Sequence, residues 1–139
     1  MNESISPSSK GKLIVKVSTA NGAIPLENVT VIVQGQEETN QDIFYSLLTN
    51  SDGLTKTIEL PTKPRFIGNA PPKNEKPYLT YTIDVYKDGY YPQHYNGVPI
   101  FENILAIQNA KIIPSSEFDA QNPYTNDGQI FNEEQNSYL

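Results

Sequence analysis

Cysteine is absent from the 139 residues, and histidine occurs once, at His94. Without thiols there is no disulfide framework, no thiolate nucleophile and no Cys-ligated zinc site, and one imidazole cannot build a multi-histidine metal centre. No cofactor or metal is therefore expected. Tryptophan is missing too, which weakens any dedicated sugar-stacking platform. No apolar run approaches the ~18 residues that cross a bilayer, and the opening MNESISPSSKGK has neither the basic start nor the apolar stretch of a secretory signal. The expectation is synthesis in the cytoplasm without a signal peptide, a soluble product and no membrane partner. Positive charge is scarce: 10 Lys and Arg stand against 16 Asp and Glu, a net charge of -6. Long-range repulsion then disfavours phosphate backbones, so no nucleic-acid partner is expected.

Turn formers and β-compatible aromatics fill the space: 11 Pro, 8 Gly and 9 Tyr. That composition argues against a helical bundle. Lys12 to Ser18 alternates, with Leu13, Val15 and Val17 on one face, and Asn28 to Gly35 repeats the pattern with Val29, Val31 and Val33 inward. Between them Ala23, Ile24 and Leu26 flank Pro25, which reads as a packed crossover rather than a minimal hairpin. Ile43 to Thr49 and Leu54 to Leu60, separated by Asn50-Ser51-Asp52-Gly53, read as a hairpin. Pro61 to Pro77 holds five prolines and forms one long excursion, a candidate contact surface. Leu79 to Tyr86 alternates with Tyr81, Ile83 and Val85 on one face. Tyr90 to Val98 follows, limited by Pro92 and Pro99. In Leu105 to Ile113 the apolar parity changes between Leu105/Ile107 and Ala110/Ile112, which predicts a bulge near Gln108-Asn109. The sum is seven short strands, no helix, and a two-sheet sandwich.

Charge divides the chain. Residues 115–139 carry Glu117, Asp119, Asp127, Glu133 and Glu134 with no Lys or Arg, five of the six net negative charges, whereas residues 1–114 are nearly neutral. The acidic segment spaces Phe118, Tyr124, Ile130, Phe131, Tyr138 and Leu139 through a polar background. Such spacing reads as a docking arm, against the plain alternative of a solvated tail. The division expected is an N-terminal arm (1–10), a sandwich domain (11–114) and an acidic C-terminal arm (115–139).

The string Gly22 to Val31 (GAIPLENVTV), then Leu48 to Gly53 (LTNSDG) and Tyr86 to Tyr91 (YKDGYY), resembles the carboxypeptidase regulatory-like, or prealbumin-like, domain. Asp42 to Thr49 (DIFYSLLT), with Gly97 to Phe101 (GVPIF) and on through Pro114, is similar to a module of clostridial peptidoglycan-binding and spore cortex-lytic proteins. The resemblance covers about residues 11–114. It implies a non-enzymatic β-sandwich module; together with the strand pattern and the charge division above, the fold expected is an all-β, seven-stranded immunoglobulin/prealbumin-like sandwich with extended N- and C-terminal arms. It implies no hydrolysis, because no catalytic motif of those hydrolases lies in these residues.

The search for chemistry gives little. His94 lacks any nucleophile-elbow pattern nearby, and Asp52, Asp88 and Asp127, each before Gly, mark turns rather than a calcium loop. Tyr86, Tyr90, Tyr91 and Tyr95 crowd into ten residues and form a candidate surface for a protein or a glycan, or else part of the packing. The function expected is a non-enzymatic structural or accessory protein, bound through its arms to protein partners in a larger assembly such as a phage virion or phage-tail-like particle, where it would be a decoration, collar or baseplate component. Self-association stays open. The alternative is a cell-wall module that contacts peptidoglycan or assists a hydrolase.

Overall fold

Alternation decides the first strand: Leu13, Val15 and Val17 are fully buried while Lys12 and Lys16 face solvent. The computed structural model describes residues 9–65 and 76–115 and contains eight strands. They are β1 (Lys10–Thr19), β2 (Ile24–Pro25), β3 (Thr30–Gly35), β4 (Phe44–Leu48), β5 (Ile58–Pro61), β6 (Leu79–Tyr86), β7 (Gln93–Ile100) and β8 (Leu105–Lys111). Two four-stranded sheets result. In the first, β1 is central: the Val17 N–H donates to Gly53 O and the Leu26 N–H to Val17 O on one side, while the Lys12 N–H donates to Ile104 O on the other. Strands β2 and β5 thus pair β1 antiparallel, and β8 pairs it in parallel from Lys12↔Leu105 to Ser18↔Lys111. The second sheet runs β4-β3-β6-β7, antiparallel throughout.

The inner faces meet in one core. Leu13, Val15, Val17, Leu60, Ala110 and Ile112 of the first sheet lie against Val31, Val33, Tyr81, Ile83, Val85 and Ile100 of the second. Each such aliphatic side chain contributes about 1.5–3 kcal/mol through its removal from water. Hydroxyls pin the layers together where side chains alone would slide. Tyr81 is buried, and its phenol donates to Pro61 O across the core at 2.6 Å. Burial pushes that phenol's pKa up to about 12. Thr62 Oγ donates to Ile100 O at 2.5 Å and accepts from the Leu79 N–H at 2.9 Å, and Thr49 Oγ donates to Leu26 O while accepting from the Val29 N–H.

Several local expectations change. The described residues form eight strands rather than seven, because Ile24–Pro25 turns straight back on Ser18 and Thr19. A single 3₁₀ turn at Ala20–Gly22 makes this a tight hairpin, not a packed crossover, and Ala23 and Ile24 stay exposed. The Asn50-Gly53 turn exists: Asn50 Oδ1 accepts from the Asp52 and Leu54 N–H groups. Its flanking strands do not pair with each other. Strand β4 pairs β3, and the chain after Gly53 crosses to β1, so the turn carries the chain between sheets. Gly53 is required there, with φ of 78° and its Cα packed under Val17 O. The bulge near Gln108-Asn109 is absent, since β8 keeps an unbroken ladder with β1, and the irregularity lies instead between Tyr81 and Ile83 on the β6–β7 pair. Pro99 does not end β7, which is an edge strand whose outer side needs no amide. Tyr90 precedes that strand and bridges Pro114.

Candidate interaction surface

The single histidine sits on the outer face of the second sheet. Register places His94 beside Asp84, and His94 Nδ1 lies 2.5 Å from Asp84 Oδ1 while Nε2 lies 3.0 Å from Asn96 Oδ1. The hydrogen bond to Asp84 raises the imidazole pKa above the ordinary histidine value, against a smaller opposing effect of burial. Both ring nitrogens are engaged, and neither by a hydroxyl. Glu37, the other organised carboxylate, accepts from Lys76 Nζ, the Thr80 N–H and the Thr80 hydroxyl. These bonds hold its pKa down although burial pulls the other way. Glu37 thereby ties the start of the β3–β4 connection to the entry of β6. Among the described residues no group of three or more His, Asp or Glu side chains is arranged to hold a metal ion. No helix among them is long and apolar enough to cross a membrane.

The tyrosine cluster divides. Tyr86 is exposed on the outer face, whereas Tyr90 and Tyr95 are half-buried and pack against the core, and burial raises the Tyr95 phenol pKa. Tyr91 is half-buried, and its N–H donates to Ile113 O. The four side chains therefore do not share one aromatic plane. Phe118, Tyr124, Ile130, Phe131, Tyr138 and Leu139 lie outside the described residues, as do Pro71 and Pro72 of the proline-rich excursion. The arm boundaries fall close to visible contacts. Lys10 opens β1 opposite Pro61, and the Ser115 N–H donates to Gly89 O at 2.7 Å.

Sequence reasoning missed the apolar residues on the outer faces. On the first sheet Ile14 pairs Ile107, and Lys12 pairs Leu105, so Ile14, Leu105 and Ile107 form an apolar strip between Lys12, Lys16 and Lys111. A groove of ≈ 490 Å³ continues from Leu105 and Ile104 past Lys10 to Glu59 and Glu102. On the second sheet Leu48, Thr30 and Tyr86 form one row across three strands. Phe44 and Leu48 are 57% and 60% exposed, values that set them apart from the inward Tyr45 and Leu47. The signal was present in Phe44, Tyr45, Leu47 and Leu48, which put apolar side chains on both faces of one short strand, so alternation cannot assign them to one face.

No family model matches this sequence, and no curated protein does. Solved structures do. The chain is similar to the Bacillus anthracis TIE protein, with a TM-score of 0.53 and 14% identity over 76% of this chain and 17% of that one. It is also similar to 3-chlorocatechol 1,2-dioxygenase from Rhodococcus opacus 1CP, with a TM-score of 0.50 and 10% identity over 77% of this chain and 60% of that one. A DUF3823 family protein from Parabacteroides merdae aligns at a TM-score of 0.47 and 15% identity, over 79% of this chain and 48% of that one. This chain thus spans less than two thirds of each of those proteins. At such identity the first two likenesses, with TM-scores of 0.53 and 0.50, establish a shared β-sandwich fold alone, and activity does not travel with it.

Proposed function

We propose that this chain is a non-enzymatic structural or accessory protein, a β-sandwich held in a larger protein assembly through residues 1–10 and 115–139. The setting proposed is a phage virion or phage-tail-like particle, with the sandwich as a decoration, collar or baseplate component. Within the shared fold we assign it to the carboxypeptidase regulatory-like, or prealbumin-like, type. The observation that carries the reading is the strip of Ile14, Leu105 and Ile107, in which Leu105 and Ile107 are exposed at successive outward positions of β8 beside a half-buried Ile14, because exposed apolar side chains so placed stabilise a contact rather than a free monomer. Lys16 and Lys111 at one end of the strip are complementary to acidic protein segments, whereas Lys12 at the other end faces Glu59 of β5. The engagement of both His94 nitrogens by Asp84 and Asn96 supports a non-catalytic reading of that residue.

Native mass spectrometry of the particle or extract from which the protein comes tests this directly. Recovery in a stoichiometric protein complex, weakened by Ile107→Lys, is the expected result. Retention of the free protein on purified peptidoglycan, with no such complex, would overturn it in favour of the cell-wall reading.

A further inference from the structure

We propose that β4 is a self-complementary edge through which two copies of this chain pair antiparallel into one continuous eight-stranded sheet. Strand β4 is the end of the order β4-β3-β6-β7. Its inward partner uses alternate residues: the Gly35 N–H donates to Ile43 O, the Thr49 N–H to Val29 O, and the Asn28 N–H to Thr49 O. In an antiparallel ladder that phase sends the amides of Phe44, Ser46 and Leu48 to the open side. Among the described residues no strand takes them up.

Native edges are ordinarily blunted by a charge, a proline or a bulge. Phe44-Tyr45-Ser46-Leu47-Leu48 has none of these, and its ladder with β3 is regular. Symmetry then selects the partner. A two-fold axis at Ser46 sets Phe44 of each copy opposite Leu48 of the other, so all the outward amides of both strands meet in one register. The two exposed hydrophobic side chains of the strand become cross-strand neighbours on the outer face. Charge agrees with this register. Asp42 precedes β4, and Lys56 lines a groove of ≈ 390 Å³ with Ser46, Leu48 and Asn50, along the second half of the strand. Antiparallel pairing carries Asp42 of each copy to the Asn50 and Lys56 end of its mate, whereas parallel pairing would set like charges together. The occupant favoured is accordingly a second copy. This interface is separate from the β1–β8 strip and does not depend on the assembly proposed above.

The absence of cysteine makes a direct test simple. Residues facing each other as a hydrogen-bonded pair have Cα atoms about 5.5 Å apart, within disulfide reach. Full-length Ser46→Cys is expected to form a disulfide-linked dimer under mild oxidation, while Ile107→Cys on the other sheet remains largely monomeric. Sedimentation of the unmodified protein is expected to show a concentration-dependent dimer. Leu48→Lys should abolish it with unchanged circular dichroism, Asp42→Lys should weaken it several-fold, and Asp42→Lys with Lys56→Glu should restore it. A monomer at all concentrations would overturn the proposal, as would a dimer that survives Leu48→Lys. Slow amide exchange of Ser46 in such a monomer would identify the chain's own remaining residues as the occupant, which also overturns it.

Discussion

A buried hydroxyl that donates to one strand and accepts from another cannot be replaced by a methyl without stranding both partners. Thr62 is such a residue, since its side chain serves Ile100 O and the Leu79 N–H in a site closed to water. Thr62→Val keeps the volume and leaves those two groups unpaired, at a cost of about 1–3 kcal/mol. The midpoint of urea unfolding is expected to fall accordingly, and Thr62→Ser to recover most of it. His94 offers a second residue-level test. Its folded pKa lies above its unfolded value of about 6.5, so the Asp84 contact contributes fully below that value and is lost as pH rises through the folded midpoint. The pair is solvent-exposed, with the imidazole side chain 52% accessible, so the contribution is below about 1 kcal/mol after screening. An NMR titration should give a His94 midpoint above 6.5, and Asp84→Asn should return it toward that value. The Thr62 and Asp84 partnerships were not legible in the sequence, because each depends on how strands come together rather than on local sequence. Thr62 and Ile100, for example, meet only after the two sheets have closed.

Elements were legible where local chemistry alone sets them. Alternation identified the buried faces of β1, β3 and β6, because each of those strands has one dry side and one wet side. It failed at β8, where the sequence suggested a bulge to bring Leu105, Ile107, Ala110 and Ile112 onto one face. The ladder with β1 holds seven residues in register and accepts two exposed aliphatics instead. The same distinction applies at Asn50-Gly53: the turn is a local property, but the sheet that receives the next strand depends on which amides are still unpaired. The Val17 N–H and the Val15 carbonyl take Gly53 O and the Thr55 N–H, so the chain is captured by β1. Gly53 fixes that crossing. Gly53→Ala adds a Cβ at positive φ, 2.4 Å from Val17 O, and must displace backbone rather than a side-chain tip. A loss of about 1–3 kcal/mol is expected, with amide exchange accelerated first along the central residues of β1. If thermal unfolding of that variant is unchanged, Gly53 is not the hinge between sheets.

For the whole molecule, closure comes from the two ends of the described sandwich. Strands β1 and β8 pair in parallel, so the sheet is completed only when residues nearly a hundred positions apart come together. Immediately beyond β8 the chain is still fastened: Ile113 O accepts from the Tyr91 N–H, Pro114 bridges Tyr90, and the Ser115 N–H reaches Gly89 O. These contacts join the last residues of the first sheet to the approach of β7 in the second. Two truncations therefore separate folding from attachment. Removal of residues 116–139 deletes the acidic segment and the six apolar residues spaced along it but none of the contacts named here. Removal from residue 113 onward deletes all three fastenings and uncaps the β7 approach. The shorter deletion is expected to leave the melting temperature within a few degrees while abolishing incorporation into the particle or complex. The longer one should in addition lower the melting temperature by roughly 5–10 °C, as one to two kcal/mol does in a domain of this size. Equal melting of the two variants would show that the fastening after Ile112 contributes nothing. Retained incorporation after the shorter deletion would remove the C-terminal segment from the attachment and leave the strip on β1 and β8, with residues 1–10, to carry it.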